Sequence, residues 1–146
     1  MTMNLIPGVE STGSALSAEK IRLEVIAQNI ANSNTTQDAS GKVYQRKEVA
    51  FEEFVKIPER RTPGYVDENL YQGVRVVDVY DDQTPGRMIF NPGHPHANKD
   101  GMVEMPNVDV SREMIDLISA SRAYEANLSV VKTSRRMAQQ ALAIGR

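Results

Sequence analysis

Hydrophobic and polar positions alternate along this chain in two different rhythms. From about Val9 to Asn32, and again from about Asp109 to Ile144, apolar residues recur three and four positions apart, which is the period of an α-helix. No proline or glycine interrupts Val110 to Ile144. Helices of these lengths reach about 35 Å and about 50 Å. Each carries two apolar stripes. In the first, Leu16, Leu23, Ile26, Ala27 and Ile30 share one face, and Ala18, Ile21 and Val25 lie nearly opposite. In the second, Val110, Met114, Leu117, Tyr124, Leu128, Val131 and Leu142 form the main stripe. Ile115, Ala123, Ala126, Val130, Met137, Ala141 and Ile144 form another. Two helices pairing with each other satisfy one stripe apiece, so the second stripes are expected to meet other copies of the chain or close relatives of it. Leu16, Leu23 and Ile30 keep heptad spacing, but Ser121, Lys132 and Arg135 interrupt the main stripe of the last helix, so a long self-standing coiled coil is not expected.

The middle follows a shorter rhythm. Six of the seven prolines lie between Pro58 and Pro106, and six of the nine glycines between Gly41 and Gly101, which forbids long helices there. Val43 to Phe54, Gly73 to Tyr80 and Arg87 to Phe90 read as strands, with the β-branched run Val74–Val79 the best of them. Pro58 to Tyr71 and Asp81 to Gly86 read as loops, and Asn91 to His96 as a stiff extended turn set by its prolines. Asp109 is a natural N-cap for the last helix, with Glu113 near the positive end of its dipole. The expected fold is α+β: two long terminal helices paired as an antiparallel, coiled-coil-like layer, with a small β-rich, loop-rich middle domain. The expected divisions are 1–36, 37–106 and 107–146, the outer two forming one helical core.

Composition narrows the function classes. Of the 146 residues 40% are hydrophobic and 5% aromatic, which is thin for a compact core but enough for a helical layer and a small sheet. A net charge of -2 with interspersed signs gives no bulk attraction for nucleic acid. The one basic cluster, Lys132, Arg135 and Arg136, suits the C-terminal half of a helix. Without cysteine there is no disulfide, thiol catalysis or Cys-ligated metal. Met1 to Glu10 lack the pattern of a cleaved signal peptide, and no apolar run approaches the ~20 residues that span a bilayer.

The best chemical constellation is His94, His96, Asp100 and Glu104, whose donors suit zinc. The two imidazoles flank a proline, however, and no helical or strand repeat fixes the carboxylates beside them. Asn29, Asn32 and Asn34 allow two readings: register-fixing hydrogen bonds between helices or subunits, or simple termination of the first helix.

Several ordered blocks resemble a known family. Leu16-Ser17-Ala18, then Leu23, Val25 and Ala27, then Asn29-Ile30-Ala31-Asn32-Ser33-Asn34-Thr35, are similar to the N-terminal signature of bacterial flagellar axial proteins. Pro106-Asn107-Val108-Asp109, Glu113-Met114-Ile115 and Ser119 to Asn127 are similar to their C-terminal signature. Within that family the middle resembles the proximal-rod branch, through Tyr44, Arg46, Lys47, Val49, Phe51, Gly73-Val74, Val76 to Val79, Asn91 to Pro95, Ala97-Asn98 and Gly101. The resemblance implies a rod subunit of the flagellar basal body in the periplasm, exported by the flagellar type III apparatus without a cleaved signal peptide. The implied neighbours are further copies of the chain and the rod proteins FlgB, FlgF and FliE. No catalytic residue, cofactor, metal, nucleic acid or small-molecule substrate is implied. The assembly surface is expected to draw on Leu16, Ile21, Leu23, Val25, Ile26, Ile30 and Asn32 of the first helix. From the last helix it is expected to use Met114, Ile115, Leu117, Tyr124, Leu128, Val130, Val131 and Met137. The competing reading is a generic adaptor that dimerises through its helical ends.

Overall fold

A computed structural model describes residues 7–38, 41–56 and 71–144. The leader before Pro7 and the loop expected from Pro58 lie outside the described residues; Tyr71 itself opens a strand. The order is α1 (Pro7–Ala31), β1 (Lys47–Lys56), β2 (Tyr71–Asp81), β3 (Met88–Phe90), β4 (Met102–Glu104) and α2 (Val110–Ile144). The fold is α+β, with both helices within a residue or two of the spans expected from periodicity.

The helices pair antiparallel. Asn29, near the end of α1, hydrogen-bonds Glu113 in the first turn of α2, so an extended contact is possible only if the two run in opposite directions. Along α2 the buried residues are Glu113, Ala120 and Ser134, at multiples of seven. Leu117, Tyr124, Asn127, Val131 and Ala138 fill the alternating steps between and beyond them and are half-buried. That is the seam of a coiled coil. Ala120 has no Cβ branch to hold α1 away, and Ala18 faces the interior from α1. From Glu113 to Ser134 the seam runs about 31 Å, most of the ~37 Å of α1, and α2 continues beyond Ser134 to Ile144.

The expectation that both second stripes stay uncovered holds for α2 only. In α1 the buried side chains are Ala18, Val25, Ile26 and Asn29, while Leu16, Leu23 and Ile30 are half-buried. The reason is a second layer: β2, and to a smaller extent β1, pack on α1 beside α2, so α1 is covered on two sides. Gly73 makes the approach possible. A Cβ there would stand 2.7 Å from Ser14 Oγ and 2.9 Å from the Phe54 ring. Without one, Ser14 Oγ accepts the Val74 N–H at 3.1 Å.

β1 and β2 form an antiparallel hairpin whose register slips between Ala50 and Phe51, leaving Val77 as a bulge. β1 starts at Lys47 rather than Val43 because the preceding backbone is engaged elsewhere. Tyr44 N donates to Thr35 O at 3.3 Å, and Arg46 N to Asn107 Oδ1 at 2.7 Å. β3 and β4 form a second antiparallel pair, and β4 had no sequence signal. Between them the segment Asn91 to His96 is a run of compact turns, not an extended one. His94 N donates to Asn91 O, and Ala97 N to His94 O. Gly101, at φ +73, closes the loop so that its carbonyl meets Asn91 N at 2.8 Å.

Candidate functional site

Two features stand out once the elements are in place. The first is a polar hub where α1, α2 and β1 meet. Asn29 is 1% exposed, and its side chain makes all four hydrogen bonds an amide can make. Nδ2 donates to Lys47 O at 2.9 Å and Glu113 Oε2 at 3.0 Å, and Oδ1 accepts from Lys47 N and Tyr44 Oη, each at 2.9 Å. Arg46 completes the hub. Its Nε donates to Glu113 Oε1 at 2.6 Å, its Nη1 to Glu48, and its Nη2 lies 3.9 Å from Asp116 Oδ2. Glu48 also accepts from Tyr80 Oη at 2.9 Å. Asn107 ties in the far strand end by accepting from Arg46 N and donating to Asp82 O at 3.0 Å.

The electrostatics follow from this enclosure. Burial works against the Arg46 charge, yet the hydrogen bond and charge of Glu113, then those of Glu48, outweigh it and raise the Arg46 pKa. Burial raises the Tyr44 phenol above its ordinary 10.0, and the nearby charges of Asp81 and Glu113 add to that. Every member is paired, so the hub has the form of a clamp rather than a reaction centre. It decides between the two asparagine readings residue by residue. Asn29 fixes register between helices and strand. Asn32 terminates α1, since Nδ2 donates back to Gln28 O at 2.9 Å and Oδ1 accepts from Thr35 Oγ1 at 3.2 Å. Asn34 is exposed.

The second feature is the arc of α2 opposite its seam. Ile115, Ile118, Ala126, Val130, Met137 and Ile144 lie on it and are all exposed, Ile115 to 65%. The same arc carries Arg112, Arg122 and Arg136, with the exposed Glu125 along its edge, seven residues from Ile118. Of the residues expected at an assembly surface, Ile21, Met114, Ile115, Val130 and Met137 are exposed. Leu16, Leu23, Ile30, Asn32, Leu117, Tyr124, Leu128 and Val131 are half-buried. Val25 and Ile26 already belong to the chain's own core. Ile118 was missed, although it lies one turn from Ile115 on the same face.

The histidine segment is otherwise engaged. His96 Nδ1 and Thr36 Oγ1 share a hydrogen bond of 2.9 Å, and His94 Nδ1 accepts the His96 N–H at 3.1 Å. Among the described residues no three acidic or imidazole side chains converge as a metal-binding group. No described helix is long and apolar enough to cross a membrane.

A paired-helix layer with a buried register clamp and an unsatisfied outer face defines an assembly subunit, and comparison with known proteins places it. Residues 10–37 match the family described as Flagella basal body rod protein, and residues 99–144 match Flagellar basal body rod FlgEFG protein C-terminal. These are the ends that form the helix pair. The chain is 39% identical over 149 residues to the flagellar basal-body rod protein FlgC of Borreliella burgdorferi, covering 97% of this chain and 98% of that protein. It is 40% identical over 143 residues to FlgC of Yersinia enterocolitica, covering 98% and 99%. Against FlgC of Bacillus subtilis it is 34% identical over 152 residues, covering 99% and 100%. The chain belongs to the FlgC family of flagellar basal-body rod proteins. It is a structural subunit of the bacterial flagellar basal-body rod.

Proposed function

We propose that this subunit builds the proximal rod by packing the outer arc of α2 against neighbouring subunits, and that the resulting stiff array transmits motor torque without any chemical step. The observation that carries this reading is the arc itself, a line of exposed Ile, Val and Met residues about 43 Å long with three arginines on it and Glu125 at its edge. Burial of one Leu, Ile or Val side chain contributes roughly 1.5–3 kcal/mol, so a few such residues per subunit supply most of an assembly free energy. Neighbours in this reading are copies of the chain and the rod proteins FlgB, FlgF and FliE. The route to the rod is the flagellar type III export apparatus, without cleavage of a signal peptide. No catalysis enters the reading, and the hub's role is to hold the helices and the β-rich middle in one relative position while load passes through them.

Deleting the gene in its host tests the function. Swimming should be lost and isolated basal bodies should carry absent or truncated rods, both restored by the intact gene. Complete rods and normal swimming would refute it and favour the helical adaptor, which would show itself as a closed, stable dimer in solution.

A further inference from the structure

One group of side chains takes no part in the helix pair or in the hub. β3 and β4 pair Met88 with Glu104, Ile89 with Val103 and Phe90 with Met102. Paired residues share a face of a sheet, and so do alternate residues of one strand. Met88, Phe90, Met102 and Glu104 therefore stand on one side of this small sheet, and Ile89 and the buried Val103 on the other. The first side is open, with Met88 47% and Phe90 68% exposed.

Met88 and Met102 are diagonal neighbours on that side. Such positions lie about 7 Å apart, a gap that two long, flexible thioether side chains bridge. Both border a cavity of about 470 Å³. His96 borders it from the turn between the strands, and Thr36 and Val43 from the segment after α1. Among the described residues its lining holds one carboxylate, Glu104, and no lysine or arginine, which favours a cation. Thr36 Oγ1 lies 2.9 Å from His96 Nδ1. With Nδ1–H donating to that hydroxyl, Nε2 carries the lone pair, which is how a second partner prepares a histidine to ligate a metal. The turn is itself held, by the His96 N–H on His94 Nδ1 at 3.1 Å and the His94 N–H on Asn91 O at 3.1 Å.

We propose that Met88, Met102 and His96 form a binding site for a soft monovalent metal ion, Cu(I) or its analogue Ag(I). Two thioether sulfurs and one imidazole nitrogen suit such an ion, whereas Mg(II) and Ca(II) call for oxygen donors. All three ligands are neutral, so the complex keeps a single positive charge, and Glu104 on the same face offsets it. Phe90, paired with Met102, adds an aromatic ring whose π face attracts a nearby cation. Asp100, which the sequence grouped with the histidines, does not border this cavity. The fold thus exchanges a hard carboxylate for two sulfurs, and the zinc reading gives way to a soft one. A bound ion links both strands to the turn between them and, through Thr36, to the segment after α1.

Ag(I), soft like Cu(I) but free of its redox chemistry, is titrated into the purified full-length chain in chloride-free buffer. Calorimetry and methionine-methyl NMR follow the binding. One equivalent should bind saturably and move the signals of Met88 and Met102, alone among the seven methionines, together with those of the His96 ring. Met88→Leu and Met102→Leu conserve side-chain volume on an open face, and circular dichroism should show both folded. Each should weaken binding about tenfold or more, and the two together should abolish it. Thr36→Val should weaken it about tenfold while the Met88 and Met102 shifts persist. Non-saturable binding, shifts at other methionines, or full affinity in the double variant overturns the proposal. Zn(II) binding tighter than Ag(I), with no methionine shift, overturns it in favour of a site built on His96 and Glu104.

Discussion

At one end of the helix pair, Asn29, Arg46 and Glu113 are buried and bonded to one another and to the β1 backbone. At the other, Arg135, Leu142 and Ile144 are exposed on the last described turns of α2. The same coiled-coil seam connects the two. The first end is completed within a single chain, and its polar character makes it selective: an amide with four satisfied hydrogen bonds tolerates no slip of one helix along the other. The second end is open to solvent, with Leu142 and Ile144 exposed beside Lys132, Arg135 and Arg136. A subunit that folds singly and then polymerises has use for both, and in this chain they lie about 33 Å or more apart along α2, counted from Glu113 to Arg135.

Breaking the finished end should cost the most. Arg46→Ala leaves the Glu113 carboxylate buried without its cation, and a loss of about 3–5 kcal/mol is expected. Urea unfolding followed by circular dichroism would read it, and an unchanged midpoint would remove the hub from the account. Asn29→Ala strands the Lys47 N–H, the Tyr44 hydroxyl and one Glu113 oxygen, and should cost about 1–3 kcal/mol by the same assay.

Tyr44→Phe is gentler, about 1 kcal/mol near neutral pH, but it sharpens the comparison through pH. The folded state raises the Tyr44 pKa above 10.0, so its contribution is complete below 10.0 and disappears as pH rises through the folded value. The unsubstituted chain should therefore lose stability above that pH, and Tyr44→Phe should lose less over the same range. Parallel alkaline titrations for the two proteins would contradict the enclosure described for the phenol.

How much of this was legible beforehand depended on whether the signal was local. The helices were, because their periodicity and freedom from proline and glycine are properties of consecutive residues. So was the Asp109 cap, whose Oδ1 accepts the Ser111 N–H at 2.9 Å. β4 was not, since Met102-Val103-Glu104 has no run of β-branched residues and is a strand only because Arg87 to Phe90 lies beside it. Asn91 to His96 misled through its prolines, which restrict single residues but do not prevent successive turns. The hub was the least legible part, because Asn29, Arg46 and Glu113 are far apart in the chain and only the fold brings them together. Glu113 was readable as a dipole-favoured residue near a helix start, and that reading is compatible with its place in the structure. The missed signal was its spacing of seven from Ala120, which puts a carboxylate on the buried seam and calls for a buried cation. The second stripe of α1 was assigned outward for a related reason: helical periodicity shows that two faces are apolar, not which of them a hairpin will cover.

The outer arc of α2 carries the central claim, and Ile118→Asp tests it most directly. Ile118 is exposed and outside the hub, so the free chain should unfold within about 0.5 kcal/mol of the unsubstituted one. The quantity to measure is the amount of this variant in basal bodies isolated from cells lacking the native copy. The account predicts that a normally folded Ile118→Asp chain is excluded and rods are missing or short. Incorporation at the normal level, with complete rods and normal swimming, would contradict it.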